Sequence, residues 1–258
     1  MSRVAITAFA VFMAWASVAA AAPTLQWSLV TTRPHDAGAW TQGLVAYRGE
    51  LLESTGDCCD PARQESSVRR IDPLTGQVTW KRQIRGPQYT EGLAVLGGYA
   101  WQLTWMDNVA YRLSLPGLRQ VQAIPYPRQG WGLTSHRGRL VASDGTATLR
   151  WLSIPRLRVT RSVVVRDGAR PVFNLNELEV VGQYIWANLW QEDRIAIIRP
   201  GDGRVLAYLD LSSLRQRLGR PGDVLNGIAR DPVTGDVLVT GKFWDRMFVI
   251  RLDDAVPA

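Results

Sequence analysis

Beyond residue 22 the apolar residues come in short runs broken by Gly-containing turns, a pattern of paired strands rather than of amphipathic helices. Five segments open alike: Gln42-Gly43-Leu44, Glu91-Gly92-Leu93, Trp131-Gly132-Leu133, Asn176-Glu177-Leu178 and Asn226-Gly227-Ile228. Their first residues lie 49, 40, 45 and 50 positions apart, inside the range of propeller blade repeats. After each opening comes an apolar run, then a turn (Arg48-Gly49, Gly97-Gly98, Arg137-Gly138, Val181-Gly182 or Thr234-Gly235), then a second run. That is a hairpin signature. Two further β-rich runs complete most repeats, as at Arg194–Ile198 and 204–209, and four strands make a blade. The fifth repeat stops after three strands at Leu252, while residues 25–31 form an extra strand ahead of the first repeat. The pattern therefore predicts an all-β, five-bladed β-propeller whose N-terminal strand closes the last blade, leaving no long exposed edge. One short helix is expected at residues 212–218, capped by Asp210 or Ser212 and stopped by Gly219 and Pro221.

Residues 1–22 break the pattern. Arg3 precedes an apolar stretch from Val4 to Ala20, and an alanine cluster then leads to Pro23, which is the layout of a secretory signal peptide. The expected organisation is a signal peptide at 1–22 and a single propeller domain at 23–258, exported to the periplasm or the exterior. An uncleaved anchor is the alternative. No other stretch of the sequence is long and apolar enough for a membrane span.

The formal charge of +7 would fall to +6 on loss of Arg3, but the cations are single arginines scattered along the chain without basic runs. A nucleic-acid footprint is therefore not expected. Cys58 and Cys59 are the only cysteines, adjacent in a loop, so no disulfide framework is available and stability must come from the core. A vicinal disulfide and two free thiols both stay open. With His35 and His136 far away in sequence, the pair does not match zinc-ligand spacing.

In a propeller, equivalent positions of successive innermost strands converge on the axis. The opening residues Gln42, Glu91, Trp131, Asn176 and Asn226 should thus be neighbours, and their chemical diversity points to a site rather than a repeated packing job. A second ring follows from the next strand of each hairpin: Glu53 to Thr55, Thr104-Trp105, Ser143-Asp144, Leu189-Trp190 and Thr240-Gly241-Lys242. Lys242 stands out because the chain has only two lysines, Lys81 and Lys242, so a compact ammonium has been placed where an Arg fork would not fit. Blander readings exist for each. Trp27, Trp80, Trp151 and Trp186 are expected to be core filler, Glu91 could be a solvated strand end, Asn176 and Asn226 could be turn residues, and Lys242 could be a surface charge.

The segments Trp40-Thr41-Gln42-Gly43-Leu44, Glu91-Gly92-Leu93, Gln102-Leu103-Thr104-Trp105, Gly130-Trp131-Gly132-Leu133, Ser143-Asp144-Gly145-Thr146, Asn176-Glu177-Leu178-Glu179, Trp186-Ala187-Asn188-Leu189-Trp190-Gln191, Leu225-Asn226-Gly227-Ile228-Ala229 and Thr240-Gly241-Lys242 together resemble the plant and bacterial type of glutaminyl-peptide cyclotransferase. The resemblance runs over roughly residues 40 to 250. It implies a five-bladed propeller that needs no catalytic metal or other cofactor and acts, as a monomer, on peptides or proteins with N-terminal glutamine. It further implies that Glu91 shuttles protons, that Asn176, Lys242 and the Trp indole N–H groups hold the carboxamide oxygen, and that Gln42 meets the substrate amine. Trp105, Trp131 and Trp190 would form aromatic walls, and Trp40 stands where the family usually has Phe. Asp245 stands where Pro is usual, and the loop 56–66 holding Cys58-Cys59 is longer than the family's. No nucleic acid and, after signal cleavage, no membrane are expected as partners.

Two other classes compete. A non-catalytic propeller binding a peptide or sugar would also use aromatic walls, but would not need Glu91 and Lys242 in one pocket. A propeller glycosidase would need a second acid beside Glu91, for which Asp144 and Glu177 are the candidates.

Overall fold

The computed structural model describes residues 21–56, 66–84 and 88–257. Residues 1–20 of the expected signal peptide, and Cys58-Cys59, lie outside them. The chain forms the ring of five antiparallel sheets that the repeats predict. Strand β1 (Trp27–Pro34) comes first. Blade 1 is β2 (Thr41–Tyr47), β3 (Glu50–Thr55), β4 (Ser67–Ile71) and β5 (Val78–Gln83); blade 2 is β6 (Thr90–Leu96), β7 (Tyr99–Thr104), β8 (Val109–Ser114) and β9 (Gln120–Pro125). Blade 3 is β10 (Leu133–His136), β11 (Arg139–Ala142), β12 (Thr148–Ser153) and β13 (Arg158–Val164). A small hairpin, β14 (Arg166–Asp167) with β15 (Arg170–Pro171), leads into blade 4 and was not foreseen from the repeats. Blade 4 is β16 (Leu175–Val181), β17 (Tyr184–Leu189), β18 (Arg194–Ile198) and β19 (Val205–Asp210). Blade 5 is β20 (Leu225–Arg230), β21 (Val237–Gly241) and β22 (Arg246–Leu252), with β1 pairing on β22 as its outermost strand.

Ring closure is thus non-covalent and uses the N-terminal strand, at Trp27–Pro34 rather than 25–31. Arg33 reinforces it with a buried two-pronged ion pair to Asp231, both contacts at 2.7 Å. Just beyond β1, His35 carries the seam into blade 1. Its Nε2 lies 3.2 Å from Glu53 Oε1, and Glu53 also accepts bonds from Thr41 Oγ1 and Arg69 Nε, each at 2.6 Å.

The expected helix is a single 3-10 segment, Ser212–Arg217, with no side-chain cap on its first residue. Asp210 instead accepts the Ser212 N–H at 3.0 Å, forming a local turn at the entry. Leu211 and Leu214 anchor the segment in the cluster between blades 4 and 5, where Trp186, Trp244 and Phe248 are also buried. Full burial of each such side chain is worth about 1.5–3 kcal/mol, so the inter-blade clusters carry the stability of the ring. Trp151 and Trp186 are core residues, and Trp27 and Trp80 pack half-buried against the core.

The innermost strands β2, β6, β10, β16 and β20 surround the axis, and two features of their sequences matter there. First, the opening residues sit on irregularities: register slips fall between Thr41 and Gly43, Thr90 and Leu93, Leu175 and Leu178, and Leu225 and Ile228. A bulge of this kind re-aims a side chain at the end of a strand. Second, the glycine of the repeat permits close approach, since a Cβ on Gly92 would come 2.5 Å from Leu133 N and one on Gly43 2.4 Å from Leu93 N. Blade 4 has Glu177 in that place. Its carboxylate fills the axis and accepts N–H bonds from Leu44 at 3.3 Å and Ile228 at 2.9 Å, across the ring from its own strand.

Candidate active site

One end of the axis opens into a cavity of about 200 Å³ lined by Trp40, Gln42, Tyr89, Glu91, Trp105, Trp131, Asn176, Trp190 and Lys242. All eight residues to which the family resemblance gives a role meet there, from all five blades. Gln42, Glu91 and Asn176 are delivered by the bulged starts of β2, β6 and β16, and Trp131 by the approach to β10. Trp105, Trp190 and Lys242 follow the ends of β7, β17 and β21, so each hairpin contributes at the same end of the ring.

The polar floor is organised around Glu91. Gln42 Nε2 donates to Glu91 Oε1 at 3.1 Å and to the Tyr89 hydroxyl at 2.9 Å. Asn226, which does not line the cavity, donates its Nδ2 to Thr41 O at 2.9 Å and to Gln42 Oε1 at 3.4 Å. Its role is to fix the Gln42 amide from below. Glu91 is 6% exposed and Lys242 4%, which excludes a solvated strand-end acid and a surface cation. Burial pushes the Glu91 carboxyl well above the usual carboxylate range, and the nearby Lys242 charge opposes that rise only in part. Lys242 in turn is lowered by burial, with Glu91 and Asp223 pulling it back up. The two make no direct ion pair. Lys242 Nζ sits instead over the Trp40 ring, 4.8 Å from its centroid.

The walls are aromatic. Trp131 and Trp190 meet edge to face at 5.6 Å, and Tyr89 and Trp105 at 5.7 Å. Trp105 and Trp190 are 37% and 36% exposed, so they form the rim, where an incoming chain would first meet the protein. The Asn176 carboxamide has no partner among the described residues, while its backbone carbonyl is held by Ser143 Oγ at 2.7 Å. It is positioned and unspent.

Several expectations need correction. The Trp131 indole N–H already donates to Gln129 Oε1 at 3.2 Å and is not free for a ligand. Trp40 Nε1, by contrast, is buried with no partner among the described residues. Of the second ring, Glu53 belongs to the seam with His35 and Arg69. Asp144 is engaged by Arg150 at 2.6 Å, and Glu177 plugs the axis below the floor. Neither Asp144 nor Glu177 lines the cavity, so the paired acids of a glycosidase are not assembled. Tyr89 was missed, although Tyr89-Thr90-Glu91-Gly92 echoes Trp40-Thr41-Gln42-Gly43: in both repeats an aromatic residue stands two positions before the opening one.

A profile of the glutamine cyclotransferase family matches residues 3–252. A glutaminyl-peptide cyclotransferase of Arabidopsis thaliana is 39% identical over 234 residues, covering 88% of this chain and 71% of its own. The chain belongs to the glutamine cyclotransferase family. The crystal structure of Myxococcus xanthus glutaminyl cyclase superposes with a TM-score of 0.81 at 32% identity, over 90% of this chain and 98% of that one.

Two departures of this cyclotransferase have local explanations. Trp40 meets Phe243 edge-on at 5.0 Å and carries Lys242 on its face, a platform for a cation that a larger ring extends. Asp245 accepts the Gly219 N–H at 3.1 and 3.2 Å and so ties the segment after the 3-10 turn to the start of β22.

Proposed function

We propose that this protein is a glutaminyl-peptide cyclotransferase, converting N-terminal glutaminyl residues of peptides to pyroglutamyl with release of ammonia, and that the axial cavity is where it does so. The α-amine attacks the γ-carboxamide carbon of the same residue, closing a five-membered ring through a tetrahedral oxyanion. Nucleophile and electrophile arrive on one molecule, so the protein's tasks are to hold a reactive pose, move protons and stabilise charge.

The observation that carries the reading is a single buried carboxylate, Glu91, in a small aromatic cavity that it shares with one ammonium and one free carboxamide. Glu91 takes a proton from the attacking amine and returns one to the departing nitrogen. Its raised pKa brings it nearer the working range of such a shuttle. Asn176 and Lys242 supply donors for the carboxamide oxygen as negative charge develops on it. Gln42, fixed by Tyr89 and Asn226, holds Glu91 in place and presents its amide toward the amine end of the substrate. The tryptophan walls displace water, which favours ring closure over hydrolysis of the amide. The N-terminal segment supports export of the protein to the periplasm or the exterior.

The test is to incubate the purified protein with a glutaminyl dipeptide and to follow ammonia together with the pyroglutamyl product. Equal amounts of both are expected. Ammonia with a glutamyl product would mean hydrolysis, and binding without ammonia would mean a non-catalytic receptor.

A further inference from the structure

A second cavity among the described residues, about 710 Å³, lies apart from the active site. It lies at the opposite end of the ring, among the turns that join β10 to β11, β16 to β17 and β18 to β19. Four arginines line it, Arg137, Arg139, Arg161 and Arg199, and among the described residues no carboxylate side chain does. The sequence scatters these residues over two turns and two strands, which is why no basic run announces them. The fold brings them together.

Two of the four are preset. Arg161 lies 4.7 Å over the Trp151 ring and donates to Gly201 O, while Arg199 is gripped by Asp202 through Nε at 3.0 Å and Nη2 at 2.7 Å. The other two, Arg137 and Arg139, flank the Gly138 turn, are exposed, and have no hydrogen-bond or ion-pair partner among the described residues. His136 adds a neutral donor. The Trp151 indole N–H donates to its Nδ1 at 3.3 Å, and since an indole can only donate, the imidazole proton resides on Nε2.

Arg156 and Arg158, both exposed, extend the cationic sector along blade 3. Four guanidiniums against one carboxylate, Asp202, leave a surplus of three positive charges around a confined volume. A lone carboxylate satisfies one fork. A phosphate presents three acceptor oxygens and close to two charges, and matches Arg forks bidentately. To bring equal charge here, a peptide would have to crowd several carboxylates into one pocket.

We propose that this groove between blades 3 and 4 is a binding site for a compact, multiply charged phosphate group, presented either by a soluble organic phosphate or by a phospholipid headgroup. It is separate from the cyclotransferase cavity and does not depend on how that cavity works.

The experiment uses the full protein with three probes: inorganic pyrophosphate by titration calorimetry, phosphatidylglycerol vesicles by co-sedimentation, and a poly-glutamate peptide by calorimetry. The chain has two histidines, and His35 is buried in the seam, so the His136 imidazole resonance reports occupancy of the groove. Pyrophosphate is expected to bind and to shift His136. Arg137→Ala and Arg139→Ala are each expected to weaken binding about tenfold, in line with loss of one charged hydrogen bond, with cyclisation of a glutaminyl dipeptide unchanged. Binding of pyrophosphate alone identifies a soluble phosphate, and Arg-dependent binding of vesicles identifies a headgroup. Three results overturn the proposal: neither phosphate probe binds, the Arg137→Ala/Arg139→Ala double variant binds as the parent does, or poly-glutamate binds more tightly than both phosphate probes.

Discussion

Gln42 Nε2 donates to Glu91 Oε1 at 3.1 Å, and this bond joins the openings of the first and second repeats directly. It fixes the orientation of the one acid in the cavity without neutralising it, because the donor is a neutral amide. Glu91→Gln preserves shape and volume and removes the proton transfer. The variant is expected to keep the parent's melting temperature and KM while kcat falls by about 10² to 10⁴. Steady-state kinetics with a glutaminyl dipeptide decide it, and near-parental kcat would remove Glu91 from the chemistry.

Lys242 is the counter-charge that restrains the upward shift of Glu91. Taking it away as Lys242→Met should therefore move the Glu91 titration further up, and with it the acidic limb of the kcat/KM profile. Glu91 must be ionised to accept a proton, so the variant should lose most at the acidic end and recover relative to the parent as pH rises. Lys242→Arg keeps the charge, but the planar fork does not fit over Trp40 in a compact ammonium's place, so it should also impair turnover. A Lys242→Met profile whose acidic limb coincides with the parent's would show that the two groups are not coupled.

The seam and the axis should respond to pH in opposite directions. Burial alone would raise the Glu53 carboxyl, but Arg69 and His35 beside it outweigh that and hold it at about 2. A carboxylate depressed on folding adds stability that is present above its unfolded pKa and disappears as pH falls toward about 2. Glu53→Gln should thus lower the melting temperature at pH 7 by on the order of 10 °C, since it leaves the buried Arg69 with only the half-exposed Asp36 as a counter-charge, and should flatten the acid side of the stability curve. Glu179, half-buried two residues beyond the axial Glu177, is pushed by desolvation up to about 8. A group raised on folding supports stability below its unfolded pKa and withdraws it as pH rises through about 8. Glu179→Gln should melt higher than the parent at pH 8 and equally at pH 4. Thermal melts across that range test both, and a common sign for the two variants would contradict the assignment.

The ring and most of the cavity were legible because the repeat is local: each blade announces itself by an opening triplet, a Gly turn and two apolar runs. Once equivalent positions are known to converge, Gln42, Glu91, Trp131 and Asn176 become neighbours without any further information. Asn226 shows the limit of that reasoning. It occupies the same position in blade 5, yet it points its amide at Thr41 O and Gln42 and props the floor, a difference set by inter-blade packing. Glu177 is similar, since only the crowded axis explains why one blade carries a carboxylate where the others carry glycine. Tyr89 is not part of any triplet; it stands two positions before one, where only its echo of Trp40 marks it. The arginine groove was illegible for the opposite reason, its members being contributed singly by turns and strands far apart in sequence.

The protonation state of the substrate itself supplies the last prediction. Only a neutral amine can attack, and an α-amino group ordinarily titrates at about 7.7 to 8.0. Turnover efficiency should therefore rise with pH through that region, on top of the limb set by Glu91, whose ionised form is required at the same time. Burial has moved Glu91 up toward the amine, so the two limbs lie closer together than an ordinary carboxylate would allow. Glutaminyl peptides whose amine pKa is lowered by the neighbouring residue should shift the amine limb down by the same amount and leave the Glu91 limb where it is. A peptide with an acetylated α-amine has no nucleophile and should release no ammonia, although it still presents the carboxamide to Asn176 and Lys242. The measurement is kcat/KM against pH for a series of peptides that differ only in amine pKa, with the acetylated peptide as the control. A profile indifferent to amine pKa, or ammonia from the acetylated peptide at a comparable rate, would mean that water and not the amine attacks, and that the aromatic cavity serves a deamidase.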